Sequence, residues 1–462
     1  MADQSDALVL FGVTGDLAYR QIFPALQALI RRGQLNVPIV GVARSGWALE
    51  QLRDRARQSL EAHGGVDAAA FARLSELLVY VDGDYRDPAT YERLRQALGA
   101  AARPLHYLAI PPSIFTVVAG GLAQAGCTQG ARVVVEKPFG RDLASARELN
   151  ATLHRFFREA DIFRIDHYLG KEPVQNLLYY RFANSFLEPV WNRNYIREIQ
   201  ITMAESFGVR GRGKFYEEAG AIRDVVQNHL LQVVSLLAME PPAGSDTEAV
   251  RDAKAQAFRV MRPLQPADVV RGQFSGYRNE PGVAPDSEVE TFAAMRLQLD
   301  SWRWAGVPFY IRAGKCLPVT VTEVYVELKR PPQALFADAG TSPPNSFRFR
   351  LSPDVVLSLA ARAKLPGEAM TGEDVELVAC HERADEMAPY ERLLRDAMRG
   401  DQMLFAREDA VERAWRVVDP VLGTGTTPLE TYAAGSWGPA QADCLTAATG
   451  GWHQPAAESG CR

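Results

Sequence analysis

Cysteine is scarce and scattered. Cys127, Cys316, Cys380, Cys444 and Cys461 stand far apart in a chain of 462 residues, with no C-x-x-C pair. Neither a disulfide framework nor a zinc site is signalled, which suits a reducing cytosol. No apolar run approaches the roughly 20 residues of a membrane-spanning helix. The opening residues, Met1-Ala2-Asp3-Gln4-Ser5-Asp6, are acidic and polar, unlike a secretory leader. Basic charge is not in excess, since 51 Lys and Arg face 56 Asp and Glu for a net charge of −5. That balance argues against a global nucleic-acid footprint and leaves room for a local basic pocket. The expectation is a cytoplasmic protein with no nucleic-acid partner, no membrane partner and no metal.

What is present fits a globular protein: 47% of residues are hydrophobic and 23% charged. The length is too great for one ordinary core, so two domains are expected. Ala7-Leu8-Val9-Leu10-Phe11 is a short apolar run, consistent with a strand buried on both faces. Gly12-Val13-Thr14-Gly15-Asp16-Leu17-Ala18 follows at once, and then a helical stretch with Leu26, Leu29 and Ile30 as apolar positions. Strand, glycine turn and helix open a dinucleotide-binding unit, although the usual G-x-G-x-x-G is replaced by G-x-x-G. A plain turn fits that loop equally well. The next run, Val37 to Ala43, reads as the second strand. There an NAD enzyme places an acid for the ribose hydroxyl, and an NADP enzyme places a cation for the 2′-phosphate. Here stand Arg44 and Ser45, with no acid before Glu50. The position favours NADP over a solvated surface arginine.

Further strands are expected at Leu77 to Val81, Leu105 to Ile110 and Arg132 to Val135, with helices between. Lys137 follows the last of these, where parallel sheets bind ligands. Then comes Ile162-Phe163-Arg164-Ile165, read as a strand. Gly170 breaks it, and Lys171-Glu172-Pro173 opens a helix with Val174, Leu177, Leu178 and Phe182 at helical spacing. Asp166, His167, Tyr168 and Lys171 therefore crowd a strand-to-helix junction. A helix N-terminus with a His and a Lys beside it is a candidate phosphate site. A loop of solvated charges is the competing reading.

Arg164-Ile165-Asp166-His167-Tyr168-Leu169-Gly170-Lys171-Glu172 resembles, letter for letter, the signature of the glucose-6-phosphate dehydrogenase family. Further motifs fall in that family's order from about residue 7 to about residue 439. The resemblance implies a coenzyme loop in Gly12, Thr14, Gly15, Asp16 and Leu17, with Arg44 and Ser45 on the NADP phosphate. It implies a cis peptide before Pro138, with Lys137 reaching substrate near the nicotinamide. It puts His167, Tyr168 and Lys171 on the sugar phosphate. Two departures lie in the coenzyme loop: Tyr19 replaces a basic or small polar residue, and Gln21 replaces a lysine.

Past residue 182 the pattern alternates, at Glu198 to Ala204, Phe292 to Leu299, Thr322 to Leu328 and Phe347 to Leu351. No regular helix separates these strands, so a mainly antiparallel sheet is expected. The fold class is α/β: a Rossmann-like doubly wound coenzyme domain over 1–175, then an α+β substrate and dimerisation domain over 176–462. Residues 440–462 read as a tail, poorly ordered unless docked. Gly220 to Gln232 reads as a helix whose apolar stripe carries His229 inward, a place where a core histidine is ordinary. Arg223-Asp224-x-x-Gln227-Asn228-His229-Leu230-Leu231-Gln232 resembles the family motif whose histidine is the catalytic base. The same resemblance gives Asp224 and Glu205 to the sugar hydroxyls and Lys315 to the substrate.

Oxidising a cyclic hemiacetal needs a base, and histidine suits because its free pKa is about 6.5. The resemblance implies that His229 takes the C1 hydroxyl proton while Asp166 stabilises the imidazolium. It implies oxidation of glucose 6-phosphate to the 6-phosphogluconolactone with NADP+, the entry to the oxidative pentose phosphate pathway, in a homodimer or homotetramer. Two alternatives stay open: a related hexose dehydrogenase using NAD, and a weakened homologue that binds coenzyme as a regulatory subunit.

Overall fold

The structure is a computed structural model that describes residues 4–333, 335–336, 342–367, 369–380, 387–423, 425 and 427–458. Two compact units divide the chain. The first takes in Met1–Glu172 together with Ala243–Arg251 and Glu386–Glu412, and the second holds the remainder.

The first unit is built on six parallel strands: β1 (Ala7–Phe11), β2 (Ile39–Ala43), β3 (Leu78–Asp82), β4 (Pro104–Leu108), β5 (Arg132–Val135) and β6 (Ile162–Arg164). Their order is β3-β2-β1-β4-β5-β6, a doubly wound sheet whose strand order reverses beside β1. Strand geometry explains the unbroken apolar run of β1. Leu8 and Leu10 enter one core layer, while Ala7, Val9 and Phe11 enter the other. The later segment closes the first layer through Leu393, Leu394, Ala397, Met398 and Phe405.

The second unit carries nine strands: β7 (Ile196–Ala204), β8 (Val269–Phe274), β9 (Phe292–Leu297), β10 (Phe309–Gly314), β11 (Val321–Leu328), β12 (Ser346–Ser352), β13 (Val356–Lys364), β14 (Gly372–Cys380) and β15 (Leu429–Tyr432). Their order is β14-β13-β12-β11-β7-β10-β9-β8-β15. Most pairings are antiparallel, and β10 with β7 and β15 with β8 are parallel. Alternation along β7 turns Ile199, Ile201 and Met203 to one face and Glu198, Gln200 and Thr202 to the other. All six are buried.

The polar face is covered by the C-terminal chain, so the stretch expected to be poorly ordered unless docked is docked over residues 449–457. Gln200 Nε2 donates to the Gly451 carbonyl at 3.0 Å, and its Oε1 accepts from the His453 amide at 2.7 Å. The His453 ring stacks on Tyr325 with centroids 4.1 Å apart, and its Nε2 lies 2.9 Å from Glu323 Oε1. Arg312 lies between the rings of Trp437 and Trp452, and Arg350 donates to the Ala456 carbonyl. A strand face this polar needs partners once buried. Residues 449–457 supply them.

Two further findings bear on the sequence reading. Cys380 is disulfide-bonded, which the scattered cysteines did not signal, whereas Cys127, Cys316 and Cys444 are free. Among the described residues, no helix is long and apolar enough to cross a membrane.

Candidate active site

The coenzyme loop leaves β1 at its C-terminal end. Gly12 has φ +78°, and a Cβ there would stand 2.2 Å from the Ala109 carbonyl oxygen, so only glycine fits. Its amide donates to Tyr85 Oη at 2.9 Å, and that hydroxyl donates in turn to the Val42 carbonyl at 3.1 Å. The Gly15 amide closes the turn on the Gly12 carbonyl at 2.9 Å. Thr14 Oγ1 meets Ser45 Oγ at 2.8 Å, tying the loop to the exit of β2. Asp16 is exposed and lies 3.9 Å from Arg55. Leu17 packs against the core.

The departures at 19 and 21 fall in a π-helical turn, Ala18–Ile22. The Tyr19 ring carries the Arg55 guanidinium 4.0 Å above it, and Gln21 is exposed. The turn packs so closely on the Ala109 backbone that position 12 takes no side chain, and the Thr14 and Ser45 hydroxyls meet beside it, next in the chain to Arg44. These residues fit a dinucleotide with a 2′-phosphate.

At the exit of β5 the Lys137–Pro138 peptide is cis. Glu136 is buried, and its Oε1 accepts from Tyr107 Oη at 2.5 Å. Burial pushes the Glu136 carboxyl up to about 7, with Tyr107, Lys137 and Tyr390 opposing the shift. The exit of β6 is a tight turn. Leu169 N–H donates to the Asp166 carbonyl, Gly170 N–H to that of His167, and Lys171 N–H to that of Tyr168. Asp166 is 2% exposed, and its Oδ1 accepts from the Tyr168 amide at 3.0 Å. The His167 ring stacks on Tyr390, and Lys171 Nζ lies 4.2 Å above the Tyr168 ring. The helix Glu172–Ala183 follows, with Pro173 in its first turn as the sequence suggests. Gly170 is held close to Leu393, which a Cβ would approach to 3.0 Å. All strands of this sheet being parallel, the coenzyme loop, Arg44, Lys137 and the 166–171 turn share its C-terminal edge.

In the second unit, Glu205 and Lys315 follow the adjacent parallel strands β7 and β10, and Lys315 Nζ lies 2.5 Å from Glu205 Oε2. Tyr216 lies under Lys315 with its centroid 5.6 Å from Nζ, and Tyr432 Oη donates to the Lys315 carbonyl at 2.6 Å. Burial first, and then Glu205, Tyr432, Glu290 and Asp224, push the Tyr216 phenol well up. Tyr216 thus sits among the carboxylates that the motifs single out.

The segment carrying Asp224 and His229 is not the α-helix expected. Ile222–Leu230 is π-helical, and Asp224 breaks from helical geometry at φ −123°, ψ 77°. The α-helix resumes at Leu231–Ala238. The stripe at 222, 225 and 226 fits an α-helix on paper, but π turns are wider. What sets this segment is Glu290. Its backbone carbonyl accepts from Ala221 N–H at 2.9 Å and its Oε1 from Ile222 N–H at 3.0 Å. Gly220 bends beside it with φ +68°. His229 is 4% exposed, inward as expected. Its amide donates to Asn228 Oδ1 at 2.6 Å, and Asn228 Nδ2 donates to Asp224 Oδ1 at 3.3 Å.

Sequence reasoning missed Tyr85, Tyr216, Glu290 and Tyr390, because each acts through a neighbour far away in the chain. It also missed the acids near Arg44, of which Asp82 ends β3 and Asp84 follows it.

A doubly wound unit with its ligand edge at the strand exits, joined to a second unit bearing a histidine, carboxylates and a buried lysine, defines a nicotinamide-coenzyme dehydrogenase. The family models described as "Glucose-6-phosphate dehydrogenase, NAD binding domain" and "Glucose-6-phosphate dehydrogenase, C-terminal domain" match residues 9–176 and 178–453. The chain belongs to the glucose-6-phosphate dehydrogenase family. Glucose-6-phosphate 1-dehydrogenase 1 of Mycobacterium tuberculosis is 47% identical over 454 residues, covering 98% of this chain and 97% of that one. The enzyme of Aggregatibacter actinomycetemcomitans is 40% identical over 488 residues, with 98% of each chain covered. A crystal structure of glucose-6-phosphate 1-dehydrogenase from Mycobacterium avium superposes with a TM-score of 0.92 at 48% identity, covering 98% of this chain and 99% of that one. A glucose-6-phosphate dehydrogenase in complex with glucose 6-phosphate superposes at 0.91 with 36% identity, covering 98% and 100%.

Proposed function

We propose that this protein oxidises D-glucose 6-phosphate to 6-phospho-D-glucono-1,5-lactone with NADP+. Membership of the family over nearly the whole chain carries the reading, and the intact set of chemical groups supports it. His229 takes the proton of the C1 hydroxyl. Asp166 is assigned the stabilisation of the imidazolium, as carboxylates do for catalytic histidines elsewhere. Positioned general-base catalysis of this kind contributes roughly 10²- to 10⁴-fold. His167, Tyr168 and Lys171 hold the phosphate. Glu205 and Asp224 bind sugar hydroxyls, and Lys137 and Lys315 complete the substrate contacts. Gly12, Thr14, Gly15, Asp16, Leu17, Arg44 and Ser45 hold NADP+, which supplies the hydride acceptor when bound.

We assign a homodimer or homotetramer in the cytoplasm on the strength of the family resemblance. The test is NADPH formation by the purified protein with glucose 6-phosphate, against free glucose and other hexose phosphates. Fast reduction with glucose 6-phosphate alone is expected. Coenzyme binding without turnover on any of these sugars would overturn the reading in favour of a non-catalytic subunit.

A further inference from the structure

The Arg44 guanidinium has an anionic partner within the protein. Its Nη1 donates to Asp84 Oδ2 at 2.6 Å. Asp84 lies just past β3, whose Asp82 is in register with Ala43 of β2. The acid that the sequence lacks after the second strand is therefore delivered by the neighbouring strand. Its surroundings are well defined. Asp82 Oδ1 accepts from the amides of Ser45 at 3.0 Å and Gly46 at 2.8 Å, which holds the backbone beside Arg44. Asp84 Oδ1 accepts from the Arg86 amide at 2.9 Å, and the Asp84 carbonyl accepts from Thr90 Oγ1 at 2.8 Å. The Arg86 amide and then the Arg44 guanidinium hold the Asp84 carboxyl below the usual range, so it is charged at neutral pH.

We propose that Asp84 is a coenzyme-discriminating residue: its carboxylate competes with the coenzyme 2′-phosphate for Arg44, and it offers an acceptor to a 2′-hydroxyl. The proposal rests on the reading of Arg44 as the cation for the 2′-phosphate. The Arg44 and Asp84 side chains are 71% and 37% exposed, and an ion pair this open is weak. A phosphate dianion displaces it, but then stands beside a carboxylate. A coenzyme without the phosphate leaves the pair intact and meets an acid of the kind that NAD enzymes place there. Asp84 thereby narrows the preference for NADP+ over NAD+.

The test is calorimetric binding of 2′,5′-ADP and of 5′-AMP to the full chain, with Asp84→Asn and Arg44→Ala alongside. Asparagine keeps an acceptor for the Arg86 amide. Asp84→Asn is expected to tighten 2′,5′-ADP by about fivefold while 5′-AMP stays within about twofold, the scale of an exposed pair. The ratio of kcat/KM for NADP+ over NAD+ should rise by a similar factor. Unchanged binding of 2′,5′-ADP to Asp84→Asn overturns the proposal. Weaker binding also overturns it, since Asp84 would then orient Arg44 instead of competing for it. Arg44→Ala separates the two layers. Lost 2′,5′-ADP affinity in Arg44→Ala, with no gain in Asp84→Asn, sinks the role of Asp84 alone. Undiminished affinity in Arg44→Ala sinks the reading of Arg44 itself.

Discussion

Lys315 Nζ lies 2.5 Å from the Glu205 carboxylate, where two parallel strands of the second unit end side by side. The lysine side chain is 9% exposed and the glutamate 25%. Removing one charge strands the other in a half-buried setting. Glu205→Gln is expected to lower stability by about 1–3 kcal/mol and to raise KM for glucose 6-phosphate about tenfold. The KM for coenzyme should not move. Urea unfolding and steady-state kinetics check both parts, and an unchanged sugar KM removes Glu205 from the substrate contacts.

Glu290 anchors the π-helical segment that carries Asp224 and His229. Its Oε1 holds the Ile222 amide, and its Oε2 lies 3.3 Å from Arg271. Glu290→Ala leaves a buried amide and a buried guanidinium short of an acceptor, for an expected loss of about 3 kcal/mol. Turnover should fall as well, because the segment loses its anchor. Glu290→Gln, which keeps the acceptor for Ile222, should retain most of kcat. Equal loss of kcat in both variants would mean that charge at 290 matters, and not the bond to Ile222.

Glu136 gives the fold a pH dependence. Its carboxyl rises from an ordinary 4.5 to about 7 through burial. Between those values the folded chain keeps a proton that the unfolded chain gives up. The resulting stability is complete below pH 4.5 and lost as pH rises through about 7. Glu136→Gln removes the titration. The wild type should therefore lose up to about 3 kcal/mol relative to that variant from about pH 5 to about pH 8. Thermal unfolding across that range measures it, and parallel pH courses for the two proteins would contradict it.

The docked C-terminal chain makes a separate prediction. Trp452 packs on Tyr310 and on Arg312, and its Nε1 donates to the Ala442 carbonyl at 3.0 Å. Trp452→Ala should cost about 3–5 kcal/mol, as for a large buried aromatic side chain. A change in Tm too small to measure would mean that the chain end contributes little to the second unit.

The first unit was legible because each of its strands is a short apolar run closed by a turn residue, and the 166–171 junction announces itself through Gly170 and Pro173. The polar-faced strands were harder. β14 is exposed over most of its length and imitates a loop, β13 is only half-buried along most of its length, and β15 has only four residues. The role of the C-terminal chain was illegible because its partners Gln200, Arg312, Glu323 and Arg350 lie more than a hundred residues away. Ile222, Val225 and Val226 satisfy α-helical spacing, so nothing local disclosed a π-helix. The Glu290 contact that anchors it comes from the segment just before β9, 68 residues further along the chain from Ile222. Likewise Asp84 meets Arg44 only because β2 and β3 are neighbours in the sheet.

The most direct test of the catalytic account is His229→Asn, with turnover and ligand affinities measured on the same folded sample. The account predicts that kcat falls by roughly 10²- to 10⁴-fold while the affinities for glucose 6-phosphate and NADP+ stay within about threefold of wild type. A variant that keeps most of its turnover, or that loses binding and turnover together, would contradict the assignment of His229 as the base.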